Sequence, residues 1–185
     1  MSESSTRKLI VAGLLGAIAV ILGWTRLGFI PWVSGASLTI MHIPAIIGAV
    51  LEGPIVGAII GLIFGIFSML QAAIAPNGPA DVWFTNPLLA VAPRLLIGPA
   101  AWLTWEVLKK RQVIGLLAAG LVGSLTNTIL VLGVIGLLGF LPWATLPPIV
   151  VANGLPEAVA STLLTLAVVS AWKGIAVGRR KGADL

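Results

Sequence analysis

Arg94, Asn127, Asn153 and Glu157 each interrupt an otherwise apolar run of this sequence, and their types suit the capture of a small polar molecule. A charged side chain inside such a run is costly and marks a functional position by default. The planar guanidinium of Arg94 matches a carboxylate bidentately, so it points to an anionic ligand. Asn153, Glu157 and Ser161 form an i, i+4, i+8 row on one helix face, while Ser124 and Thr128 stand near Asn127 on another. Amides there can fix hydroxyl or amide groups of a ligand. A second reading is purely structural: Arg94 pairs with Glu157, and the asparagines bond between helices, because buried charges need partners whatever their purpose. The residue types alone leave both readings open.

Four further candidates surround this set. Gln71 ends a long apolar run, and Trp83 and Asn86 lie in the turn-rich stretch APNGPADVWFTNP over 75–87, which could fold over a site. His42 stands early in another run, before Pro44, and is the one histidine of the chain, so a histidine-based metal site is not expected. It reads more readily as a packed residue than as a ligand. No phosphate-binding GxxxxGK[ST] loop, HExxH or GxSxG motif occurs, so no ATP hydrolysis, metalloprotease or hydrolase chemistry is expected of this chain alone. An intramembrane enzyme would have only Glu157 and His42 as acid–base groups. Neither cofactor nor metal is expected.

The elements that position these residues are membrane spans. Of 185 residues, 58% are hydrophobic and 9% charged, against about 25% charged in a soluble domain. The absence of cysteine excludes disulfides and thiolate chemistry. Apolar runs near 9–28, 38–52, 54–74, 88–109, 113–139 and 148–172 predict an all-α integral membrane protein, a six-transmembrane-helix bundle forming a single domain over 1–185. The net charge of +5 could suggest nucleic acid, but the basic residues gather at the ends of runs. Arg7 and Lys8, Lys109 to Arg111, and Lys173, Arg179, Arg180 and Lys181 fall at alternate ends of an even number of spans. The positive-inside bias then predicts an N-in, C-in topology, with cytoplasmic tails at 1–8 and 174–185. Arg94 would lie about 9 Å below the outer end of its span and Glu157 roughly 14 Å below. Trp32, Trp83, Phe84 and Trp143 fall in the outer loops, either as an interfacial belt or as stacking surface for a ligand.

Two stripes of small residues complete the pattern. Gly53, Gly57, Gly61 and Gly65 recur every fourth residue, which lets another backbone approach closely along one helix face. Its reading is structural. Ala12, Gly16, Ala19 and Gly23, with Gly13 and Ala17 beside them, mark the first span and suit either internal packing or docking of another membrane protein.

HIPAIIGAVLEGPIVGAIIGLIFGIFSM, NPLLAVAPRLLIG and NGLPEAVAS together resemble the substrate-binding S component of energy-coupling factor (ECF) vitamin transporters. The resemblance implies a multi-pass protein of a prokaryotic cell membrane that captures a vitamin or its precursor from outside. It further implies a separate transmembrane coupling protein and two cytoplasmic ATPase subunits as partners, and no nucleic acid. The docking motif of the family maps onto Ala12 and Gly16. The sequence looks most like the pantothenate, folate and hydroxymethylpyrimidine branch. One intramembrane arginine for one carboxylate favours pantothenate. A stand-alone channel or facilitator for a small anionic solute is the alternative from another class.

Overall fold

A computed structural model describes residues 3–30, 38–76 and 78–175. Trp32, Arg179, Arg180 and Lys181 lie outside the described residues. Among those residues the chain forms seven α-helices: α1 (Glu3–Trp24), α2 (Ile43–Glu52), α3 (Pro54–Ile74), α4 (Pro87–Ala90), α5 (Ala92–Leu108), α6 (Gln112–Leu137) and α7 (Leu146–Lys173). Five stretches, in α1, α3, α4–α5, α6 and α7, are long and apolar enough to cross a membrane.

The expected spans 38–52 and 88–109 turn out differently. α2 has ten residues, about 15 Å of helix, which is half the hydrocarbon thickness. The residues before it go instead into a two-stranded antiparallel pairing, β1 (Phe29–Ile30) with β2 (Leu38–Thr39), in the register Phe29↔Thr39 and Ile30↔Leu38. An apolar run does not distinguish strand from helix, so the pairing was not anticipated. The span 88–109 breaks at Val91 into α4 and α5. Pro93 has no N–H to give the Leu89 carbonyl one turn back. Arg94 supplies that hydrogen bond from its own side chain, Nη1 donating to the Leu89 oxygen.

The glycine row of α3 does two jobs. Gly53 takes φ +104°, closing the turn between α2 and α3, and Pro54 opens the next helix. Gly57 meets Gly98 of α5 so closely that a Cβ on Gly57 would lie 2.8 Å from its Cα. On Gly61 a Cβ would run into the Arg94 carbonyl, and on Gly65 it would lie 2.7 Å from that of Ala90. The stripe therefore seats α4 and α5 against α3 and fixes the height of Arg94.

On α1, Ala12, Gly16, Ala19 and Gly23 are buried within the chain. A Cβ on Gly16 would come 2.7 Å from Ile63 of α3, and Gly23 faces Phe67 and Met41. Ala12 and Gly16, the positions that the resemblance assigns to docking, are both turned inward in this conformation, Gly16 against Ile63 of α3. The small residues left facing outward are Gly13, beside open space, and Ala17, which is exposed.

The larger apolar core joins α1, α2, α3, α5, α6 and the end of α7, with Ile46, Ile60, Ile97 and Leu116 fully buried. Beside it, Arg7 pairs with Glu52 at 2.7 Å. Lys173 donates to the Val50 carbonyl at 3.3 Å and lies 4.5 Å from the Trp105 ring centre. Lys109 pairs with Glu106 at 2.5 Å, as their spacing predicts. A smaller cluster of Leu89, Val131, Ile135 and Leu146 occupies the opposite end. Between the two clusters the bundle opens.

Candidate functional site

A cavity of about 380 Å³ lies between α3, α5, α6 and α7 and is covered by the 3₁₀ turn Pro79–Thr85. Its size falls within the range of small-molecule sites. Six of the sequence candidates line it: Arg94, Asn127, Asn153, Glu157, Gln71 and Trp83.

Arg94 is almost fully buried on α5. Its guanidinium carbon lies 5.3 Å from the centre of the Phe64 ring and 5.0 Å from that of Phe84, so two aromatic faces hold the cation. One of its donors is engaged by Leu89, and its Nε has no partner. The charge is therefore held in place by aromatic quadrupoles and one carbonyl, with donor capacity to spare.

Glu157 is bound separately. Its Oε1 accepts from the Thr39 backbone N–H at 2.6 Å, and its Oε2 accepts from the Thr128 hydroxyl at 3.2 Å. No ion pair joins Arg94 to Glu157, so they do not make the direct pair that the structural reading required. Both charges face one cavity with separate partners. Opposite them, Asn127 presents an Oδ1 with no hydrogen-bond partner, and Gln71 on α3 does the same with its Oε1. Asn153 lies on α7 one turn from Glu157 and is buried. Above, Trp83 stacks on Phe140 with centroids 5.3 Å apart and planes 6° apart, which pins the covering turn to the end of α6.

Two candidates stand elsewhere. Asn86 accepts the Leu88 N–H at 2.9 Å and so caps α4, off the cavity lining. His42 precedes α2 fully buried, with neither ring nitrogen bonded, and does not line the cavity. Ser161, in the row with Asn153 and Glu157, donates to the Gly120 carbonyl at 3.1 Å and belongs to the α6–α7 contact.

The cavity also has walls that sequence reasoning did not assign to it. Phe64, Ser68, Thr39 and Asp81 line it. Nothing in the spacing marks Thr39, because its part is a backbone donor brought in by strand pairing. Phe64 adjoins Gly65 of the glycine row, and its nearness to α5 was a signal available in the sequence.

In chemical terms the cavity offers one guanidinium, carboxamide groups on three helices, the carboxylates of Glu157 on α7 and Asp81 in the covering turn, and an apolar wall that includes Val131, Leu132 and Ile135. That set can bind an anionic molecule carrying amide or hydroxyl groups. It supplies no activated nucleophile.

The family profile described as "ECF transporter, substrate-specific component" matches residues 7–169. The chain is 29% identical to the pantothenic acid transporter PanT of Lactococcus lactis subsp. cremoris (strain MG1363) over 191 aligned residues, 92% of this chain and 96% of that protein. It is also 29% identical to the pantothenate transporter PanT of Leuconostoc mesenteroides subsp. mesenteroides over 143 residues, 73% of this chain and 69% of the relative.

Proposed function

We infer the function from the premise that this chain belongs to the ECF transporter substrate-specific component family. It is a multi-pass membrane protein of vitamin uptake, and pantothenate is its favoured substrate. The single observation that carries the substrate is Arg94: a lone buried guanidinium, caged by Phe64 and Phe84, in a cavity whose other polar groups are mostly amides and hydroxyls. Pantothenate has one carboxylate for that cation, and amide and hydroxyl groups for Asn127, Asn153 and Gln71. Glu157, held by Thr39 and Thr128, is suited to accept a ligand hydroxyl. Trp83 and the turn around it form the cover.

The same reading assigns the chain a role within an ATP-driven importer. It has no ATP-binding loop, so a transmembrane coupling protein and two cytoplasmic ATPase subunits would drive release inward. With α2 counted as a short second span, the six-span, N-in/C-in arrangement keeps Lys109, Lys110 and Arg111 cytoplasmic and the cavity toward the outside. The exposed small face of α1, Gly13 and Ala17, is the surface on which the coupling protein would pack.

Titration calorimetry on the purified full chain, without ATP or partners, tests the substrate. One pantothenate should bind per chain, and Arg94→Ala should weaken that binding about 100-fold while the protein remains folded. Absence of pantothenate binding, or the same affinity in the variant, overturns the reading. Folate and hydroxymethylpyrimidine in parallel cells separate the branch members. Sustained pantothenate flux into liposomes holding only this chain would instead identify a facilitator.

A further inference from the structure

At the end of the bundle opposite the cavity, the α5–α6 turn carries Lys109, Lys110 and Arg111 in succession. The cations around this end are not equivalent. Arg7 is engaged by Glu52, Lys173 by the Val50 carbonyl and the Trp105 ring, and Lys109 by Glu106. Lys110 and Arg111 are exposed and make no ion pair among the described residues. They line an open groove of about 550 Å³ whose remaining lining is Lys109, Gln112, Val113, Ile114 and Ile175. Cations and aliphatic side chains thus share one groove.

The surface that continues from this groove decides between ligands. Val107 is 72% exposed, and Leu103 and Leu121 are exposed on the flanks of α5 and α6. In a membrane-spanning bundle these side chains face acyl chains. A ligand that satisfies the groove is therefore negatively charged at one end and apolar along the rest. A soluble phosphate would meet the cations but leave the aliphatic side chains wet. A zwitterionic lipid would cover those side chains but bring its own cation to Lys110 and Arg111.

We propose that this groove holds the phosphate headgroup of an anionic phospholipid, with Lys110 and Arg111 as its ligands and Val113, Ile114 and Ile175 against its glycerol and upper acyl region. Arg111 can clamp phosphate oxygens with its planar fork, and Lys110 adds a point charge. Lys109, shared with Glu106, contributes less. The site is separate from the vitamin cavity and needs neither ligand nor coupling partner.

Native mass spectrometry of the full chain, released from nanodiscs holding equal phosphatidylglycerol and phosphatidylcholine of matched acyl length, tests it. Phosphatidylglycerol should be retained preferentially, with one molecule surviving the mildest activation that removes all phosphatidylcholine. Lys110→Gln with Arg111→Gln should weaken that retention about 25-fold, taking about a factor of five for each cation near an anionic surface. Pantothenate affinity, measured on the same preparation, should not change and shows that the variant is folded. Lys8→Gln removes an exposed charge outside the groove and should leave retention as in the parent. Excess glycerol phosphate should not displace the bound lipid. Equal retention of both lipids, an unaffected double variant, a comparable loss in Lys8→Gln, or displacement by glycerol phosphate would each overturn the proposal.

Discussion

The two ends of this bundle are built from the same helices and treat polarity in opposite ways. At the basic end, Ile46, Ile60, Ile97 and Leu116 fill the space between helices, Gly57 and Gly98 bring α3 and α5 to backbone contact, and charged side chains sit at the rim. At the cavity end, Arg94, Glu157, Asn127 and Asn153 stand between the same helices and no side chain fills the gap. Close packing at one end is what permits an unfilled space at the other. A buried cation with spare donors is tolerated because α5 cannot slide, its register being locked by Gly57 and Gly61 against α3. Scaffold and site are thus divided by depth rather than by element.

The sharpest way to break this comparison is to unlock the register. Gly61→Leu places a branched side chain against the Arg94 carbonyl, and overpacking of this kind costs about 3 kcal/mol. Thermal unfolding in detergent should fall by several degrees, and pantothenate binding should be lost together with it. Arg94→Ala strikes the site and takes from the scaffold only the hydrogen bond to the Leu89 carbonyl. Affinity should drop about 100-fold, in line with about 2.7 kcal/mol for a charged hydrogen-bonding partner, whereas Arg94→Lys should retain part of it. A drop in unfolding temperature as large as that of Gly61→Leu would show that the two ends are not separable.

Smaller changes sharpen the same boundary. Thr128→Val removes the hydroxyl that holds Glu157 Oε2 but keeps the shape of α6. Calorimetry should show about 1 kcal/mol less affinity, with no change in helix content. The least effect on the isolated chain belongs to Gly13→Leu, which projects into open space. Ligand affinity and stability should stay within about 0.5 kcal/mol of the parent. Co-purification with the coupling protein should nevertheless fall, while Gly16→Leu should unfold α1 from Ile63. Intact co-purification in Gly13→Leu would move the docking surface elsewhere.

Much of this protein was legible before any coordinates. Composition fixed the membrane class, since no soluble domain holds so few charges over such long apolar runs. The four-residue spacing of Gly57, Gly61 and Gly65 announced close helix packing, and Arg94, Asn127, Asn153 and Glu157 were conspicuous because polar groups are expensive where they stand. Periodicity acts within one helix, however, and is silent about its neighbours. Only the tertiary structure decided that Phe64 and Phe84, rather than Glu157, attend the guanidinium, and that Thr39 reaches Glu157 through a strand pairing. It also turned Ala12 and Gly16 inward and took Asn86 for a helix cap. The Asn86 cap is a local contact with Leu88, two residues on, but the other three share one physical reason. Which faces meet is set by where glycines let backbones touch and where a proline such as Pro93 breaks a helix, and those contacts join residues far apart in the chain.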